Sequence, residues 1–220
     1  MGASTATTGK KTSESRRDAL ESRVIEAALE LFAERGYHGT SVPAVMERAG
    51  IGAGSLYRLF ESKEALVNAV FRDAKRRLEV ALRHGVRMEQ DPRALFDELW
   101  ARLAAFAEAE PVAFRFLELQ DHTPYLDGAS RQQELAVLAP IALGCMDMQR
   151  RGVFRQDVAA DVIIAFVWGA FVGLVKAARL GYLELGREQI DAARDACWRA
   201  FAAAAEPAER EKERWKRRRR

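Results

Sequence analysis

Fourteen consecutive apolar residues, Val162 to Val175, constrain this chain more than any other stretch. The segment VIIAFVWGAFVGLV is bounded tightly by Asp161 and Lys176. As a helix it rises about 21 Å at roughly 1.5 Å per residue, short of the ~30 Å hydrocarbon core of a bilayer. A helix that is apolar on every side must instead be buried on every side, against its own core and against a partner. Left exposed, such a face aggregates. Gly169 and Gly173, four residues apart, let a second helix approach closely. The expectation is a core helix that also joins two copies of the chain, with no membrane span.

The rest of the chain reads as helix. No run alternates β-branched residues, and Ala, Leu, Glu and Arg fill the segments between Gly and Pro. A first helix is expected from about Arg16 to Arg35, with Val24, Ala28 and Phe32 at four-residue spacing beside Ile25 and Leu29, ending at Gly36. Thr40 or Ser41 caps a short helix whose Val42, Val45, Met46 and Ala49 fall at i, i+3, i+4 and i+7. Gly50-Ile51-Gly52 breaks it, Ser55 to Phe60 forms the next, and Ser62 caps a long helix reaching roughly His84. Asp91-Pro92 opens a helix to about Ala109 and Pro111 opens a short aromatic one. A helix from near Asp127 to Arg151 carries Pro140 and is expected to kink there. The apolar helix is expected from Asp157 to Gly181, and a last helix from about Arg187 to Ala205. The fold class is therefore all-α, with about nine helices: a three-helix head and a longer helical body.

Composition excludes several classes. A chain of 220 residues with 49% apolar and 30% charged side chains can bury a real core, and is neither disordered nor fibrous. Cys145 and Cys197 are too few for a disulfide scaffold and suit a reducing compartment. Met1, Ala3 and Ala6 are the only apolar residues before position 19, which gives no secretory h-region, so a cytoplasmic location is expected. Residues 1–15 read as a disordered arm, 16–62 as the head, 63–205 as the body and 206–220 as a disordered tail. That tail carries +4 of the net +3, which leaves the remainder at −1. It reads as a solvated terminus or as a salt-sensitive phosphate contact. Lys10, Lys11, Arg16 and Arg17 have the same second option along a duplex.

Residues Thr40 to Phe60 carry the functional signal. Two short helices joined by a Gly-containing turn have the form of a helix-turn-helix, although any helical bundle can contain one. With Leu56 and Phe60 turned inward, Gly52, Ala53, Gly54, Ser55, Tyr57 and Arg58 are left for the leading edge and outer face of the second helix. Small residues there admit the backbone to a groove, and Arg58 offers a fork that matches phosphate or guanine. Lys63 stands at the next helix N-terminus, where free N–H groups and the dipole favour an anion. A phosphate-loop reading of Gly50 to Gly54 fails, because that motif follows a strand and here a helix precedes it.

The segments Arg23-Val24-Ile25-Glu26-Ala27-Ala28, Leu31-Phe32-Ala33-Glu34-Arg35-Gly36-Tyr37, Thr40-Ser41-Val42 and Ala49-Gly50-Ile51 resemble the TetR/AcrR family of bacterial transcriptional regulators. Gly54-Ser55-Leu56-Tyr57-Arg58-Leu59-Phe60 and Lys63-Glu64-Ala65-Leu66 extend the likeness over roughly Arg16 to Phe71. It implies that Thr40 or Ser41, Tyr57 and Lys63 hold phosphates of double-stranded DNA while Ala53, Gly54, Ser55 and Arg58 approach bases. Gly52 and Ala53 depart from the family, where Ser or Thr and then a basic residue are common, so readout leans on Arg58, Ser55 and DNA shape. The resemblance further implies a homodimer through the last two long helices, here through Ile164, Val167, Gly169, Phe171, Gly173, Ala193, Cys197 and Phe201. It also implies an effector cavity, for which Trp100, Leu103, Phe106, Phe114, Leu117, His122, Tyr125, Ile141, Cys145, Met146 and Trp168 are the candidate lining. Few charges interleave with these residues, which points to a hydrophobic small molecule.

Catalysis has no foothold. His38, His84 and His122 lie far apart without metal-ligand spacing, and neither Cys neighbours a His. No metal or cofactor is expected. Two functions fit: a ligand-responsive repressor on a near-palindromic operator, or a helical ligand-binding or interaction protein whose head no longer reads DNA.

Overall fold

The computed structural model describes residues 6–87 and 90–203, with side chains from residue 15 onward. Nine helices and no named strand occur among the described residues: α1 (Ala6–Gly39), α2 (Val42–Ala49), α3 (Ala53–Leu59), α4 (Lys63–Arg83), α5 (Pro92–Ala109), α6 (Pro111–Glu118), α7 (Gly128–Arg150), α8 (Ala160–Arg179) and α9 (Arg187–Phe201). Most boundaries fall at the expected punctuation. Gly36 interrupts α1 with φ +70°, Ser41 caps α2 by accepting from Ala44 N, and Gly50 ends α2 in the left-handed region. Ser62 accepts from Ala65 N at 3.0 Å to open α4, and Asp91 accepts from the N–H groups of Arg93 and Ala94 to open α5.

Several boundaries differ from expectation, among them the end of α9, at Phe201 and not near Ala205. Helix α1 begins at Ala6, ten residues early, because extending a helix already nucleated by its packed part needs no new nucleus. Helix α8 begins at Ala160 because Asp157 is occupied by a fork from Arg155 outside the helix. Helix α7 is one continuous element that carries Pro140 inside it. The expected tail at 206–220 lies outside the described residues, as do residues 1–5 of the expected arm.

Packing gathers the described residues into two compact units. The first holds the described residues up to Gly85 together with Arg102–Val137. Val24, Ala28, Leu29 and Phe32 of α1 are buried there with Leu66, Val67, Val70 and Phe71 of α4 and Phe114 and Phe116 of α6. Helix α4 and the α6–α7 connection thus share a core with the head, because α4 presents its apolar stripe to α1 and α6. Arg77 reinforces this by pairing with Asp73, with Glu26 and, at 3.3 Å, with Glu110. Lys75, buried among the described residues, lies 3.7 Å from each of the Glu118 and Glu134 carboxylates.

The second unit holds Val86–Ala101 and the chain from Leu138. Its core is Leu95, Cys145, Met148, Phe154, Ile163 and Phe201, flanked by Phe96 and Trp198. Trp100 Nε1 donates to Ile190 O at 3.1 Å, and Arg194 bridges Asp97 of α5 to Asp191 and Asp195 of α9. Helix α8 is long and apolar enough to span a membrane by length and composition, yet only Ile163 and Phe171 are fully buried. Val162 and Phe166 are 53% and 55% exposed, and with Gly169 and Gly173 they form one uncovered stripe at i, i+4, i+7 and i+11.

Candidate nucleic-acid interface

The head presents α3 on a scaffold fixed from behind. Leu56 and Phe60 are buried, which turns the opposite side of the seven-residue helix outward. Arg23 of α1 donates to Ala49 O at 2.6 Å, and Gly50 and Ile51 N–H groups close α2 on Glu47 and Met46 carbonyls. The turn before α3 is therefore held on its α2 side. Gly52 caps α3 with no side chain, and Gly52, Ala53 and Gly54 are all exposed. A Cβ added at Gly52 or Gly54 would meet nothing within 4 Å, so the leading edge of α3 is bare backbone.

Behind that edge stand two polar side chains. Tyr57 is 56% exposed and its hydroxyl has no partner among the described residues. Arg58 lies along its own helix, with Nε donating to Gly54 O at 3.1 Å and Nη2 donating to Ser55 Oγ at 3.3 Å. Those two bonds use the Nε/Nη2 edge of the guanidinium and leave the Nη1/Nη2 end, which can pair with O6 and N7 of guanine, without a partner among the described residues. Ser55 and Arg58 thus act as one element.

Ser41 and Lys63 also fit phosphate contact. Ser41 is exposed, and its hydroxyl can donate outward while accepting from Ala44 N at 3.3 Å. Lys63 begins α4 with its Nζ 4.2 Å above the Tyr37 ring. The Tyr37 hydroxyl donates to the Glu64 carboxylate, and burial followed by that carboxylate pushes its pKa up to about 12, so it stays a neutral donor.

Thr40 is a correction. It is 2% exposed, and its Oγ1 lies 3.0 Å from Leu31 O and 2.9 Å from Gly36 O. Its hydroxyl satisfies carbonyls at the end of α1 and cannot face a phosphate. Spacing could not separate Thr40 from Ser41, since both precede α2.

The candidate effector residues divide between the units. Leu103, Phe106, Phe114, Leu117 and His122 are buried and Tyr125 half-buried in the first; Trp100 and Cys145 are buried, Ile141 and Trp168 half-buried, in the second. Met146 instead is 39% exposed on α7. Trp100 meets Phe171 edge-on at 5.5 Å. His122 Nε2 lies 2.5 Å from Phe116 O and Nδ1 lies 2.7 Å from the Tyr125 hydroxyl. Burial, first of all, holds the His122 imidazole below its ordinary pKa. No cluster of His, Cys, Asp or Glu suited to a metal occurs among the described residues.

The residues expected at a dimer interface also sort by phase. Gly169 and Gly173 lie on the uncovered stripe, while Ile164, Val167 and Ala193 are half-buried. Phe171, Cys197 and Phe201 are 1%, 3% and 7% exposed, already inside the protomer, and have no surface left for a partner. Val162 and Phe166 are the large apolar residues of α8 that stand exposed instead. An all-round apolar helix carries no signal of which side faces its own core, so only packing could separate them.

Residues 24–70 match the sequence profile of bacterial regulatory proteins, tetR family, and residues 71–203 match that of the tetracyclin repressor-like C-terminal domain. The HTH-type transcriptional repressor KstR2 of Rhodococcus jostii is 31% identical over 148 residues, spanning 65% of this chain and 71% of that protein. The HTH-type transcriptional regulator UidR of Escherichia coli is 24% identical over 143 residues, spanning 62% of this chain and 69% of its own. A TetR family transcription regulator from Marinobacter aquaeolei has the same fold, with TM-score 0.77 at 23% identity over 87% of this chain and all of that one.

Proposed function

The chain belongs to the TetR family of bacterial transcriptional regulators, which are not enzymes, and from that premise we propose that it is a cytoplasmic repressor, binding a near-palindromic operator as a homodimer and released by a hydrophobic small-molecule effector. The observation that carries the reading is the outward face of α3, where bare Gly52-Ala53-Gly54 backbone lies beside Ser55, Tyr57 and Arg58. Gly54 and the paired Ser55 and Arg58 address base edges, with guanine the match for the free end of Arg58. Tyr57, Ser41 and Lys63 address phosphates and set the register.

Dimerisation is supported by the uncovered stripe Val162, Phe166, Gly169 and Gly173. A second copy covers that stripe better than a bilayer does, because the other side of α8 is already packed on protein through Ile163 and Phe171. Two heads about 34 Å apart would then enter successive major grooves. Release requires only an effector that prefers the DNA-incompetent state, since a preference of a few kcal/mol changes operator affinity by orders of magnitude.

Selection of bound duplexes from a random pool at near-physiological salt tests this reading, with Tyr57→Ala as the control. An enriched inverted repeat with guanine in each half-site is the expected result. A folded dimer that enriches nothing, with or without ligand removal by refolding, would give the field to a ligand-binding protein without DNA readout.

A further inference from the structure

The connection between α6 and α7 is bonded to the head rather than left as a loop. Tyr125 stacks on Tyr37, with centroids 4.5 Å apart and planes at 22°. The same Tyr37 ring carries the Lys63 ammonium 4.2 Å from its centroid. Asn68, 2% exposed on α4, donates from Nδ2 to Tyr125 O at 2.8 Å and accepts from Asp127 N at 2.9 Å. A carbonyl can only accept, so the contact to Phe116 O places the His122 proton on Nε2, and Nδ1 accepts from the Tyr125 hydroxyl. Tyr125 is thereby held at its ring, its hydroxyl and its backbone, all within one compact unit.

From this geometry we infer that Tyr125 is a positioning residue for DNA binding: stacked on Tyr37, it holds the surface against which the Lys63 ammonium is set toward a phosphate. A free lysine side chain samples many rotamers and loses that freedom on contact. An ammonium has three donors, so one side can rest on the ring while the others reach a phosphate oxygen. His122 and Tyr125, which the sequence suggests as cavity lining, then serve the head. The inference rests on Lys63 being a phosphate contact.

The test is the salt dependence of binding to a 30-bp duplex of random sequence, which reads phosphate contacts without an operator. Each phosphate contact contributes about 0.9 to the slope of log K against log salt. Lys63→Ala should lower the slope by about that amount per protomer. Tyr125→Leu should lower it nearly as much, the double variant no further, and Tyr125→Phe, which keeps the stack, should retain it. A purely structural Tyr125 would lower the melting temperature and leave the slope alone. If Lys63→Ala lowers the slope and folded Tyr125→Leu does not, the positioning role is overturned and the phosphate reading stands. If Lys63→Ala changes nothing, both fall. Should Tyr125→Leu not fold, the unmodified protein still decides: the Lys63 ε-methylene protons, assigned against Lys63→Arg, should be shifted upfield by the Tyr37 ring, and ordinary lysine shifts would overturn the proposal.

Discussion

Replacing Thr40 by valine removes a hydroxyl at almost constant shape, and its cost follows from what that hydroxyl touches. Oγ1 carries one proton and shares it between Leu31 O and Gly36 O, at 3.0 and 2.9 Å. The residue is 2% exposed, so water cannot replace the lost donor. Removing one partner of a buried hydrogen bond costs the net bond plus part of the desolvation of the acceptor, in total about 1–2 kcal/mol. In a chain of this size that lowers Tm by roughly 2–8 °C, measured by thermal unfolding at one fixed protein concentration because association shifts the midpoint. Thr40→Ser keeps the hydroxyl and should lose less. Binding to a random 30-bp duplex should keep its full salt slope in Thr40→Val. An unchanged Tm together with a slope smaller by about 0.9 per protomer would refute the reasoning and return Thr40 to the phosphate set.

Three other outcomes are expected. Tyr57→Ala should weaken DNA binding in an anisotropy titration while Tm stays within a degree, because the side chain is 56% exposed and packs on little. Phe166→Glu should shift the sedimenting species from dimer to monomer, whereas Phe171→Ala, cut from a residue 1% exposed, should cost about 3–5 kcal/mol of stability and act through folding instead. His122 has a folded pKa below its ordinary 6.5, chiefly through burial, so the unfolded chain binds the proton more readily. Its contribution is present above pH 6.5 and is lost as pH falls below it; Tm measured from pH 7.5 to 5.5 should drop more steeply in the unmodified protein than in His122→Asn, and parallel curves would remove His122 as the cause.

How much of this was legible in the sequence depends on the range of the interaction involved. Local chemistry marked the breaks and ends of elements: Gly36 inside α1 and Gly50 after α2 where positive φ is needed, Ser41 and Ser62 whose hydroxyls accept from the N–H three residues on, and Asp91-Pro92 and Pro111 at helix starts. The outer face of α3 was legible too, because Leu56 and Phe60 orient a seven-residue helix and the remaining positions follow by geometry. Each of these rests on contacts within a turn or two, which residue type and spacing encode directly.

Tertiary structure decided the rest. Thr40 and Ser41 are neighbours of similar chemistry, and only the approach of the α1 carbonyls assigns one to the interior and the other to the surface. In α8 every side is apolar, so the phase that buries Phe171 and uncovers Phe166 comes from which neighbours arrive, not from its own pattern. Tyr125 meets Tyr37 across 88 positions of chain, a pairing that no local spacing announces. The sequence by itself determined the nine helices of the described residues and the face that a duplex would meet. Which side chains stand behind that face depended on contacts between residues far apart in the chain, where several partners satisfy the same chemistry and packing selects one.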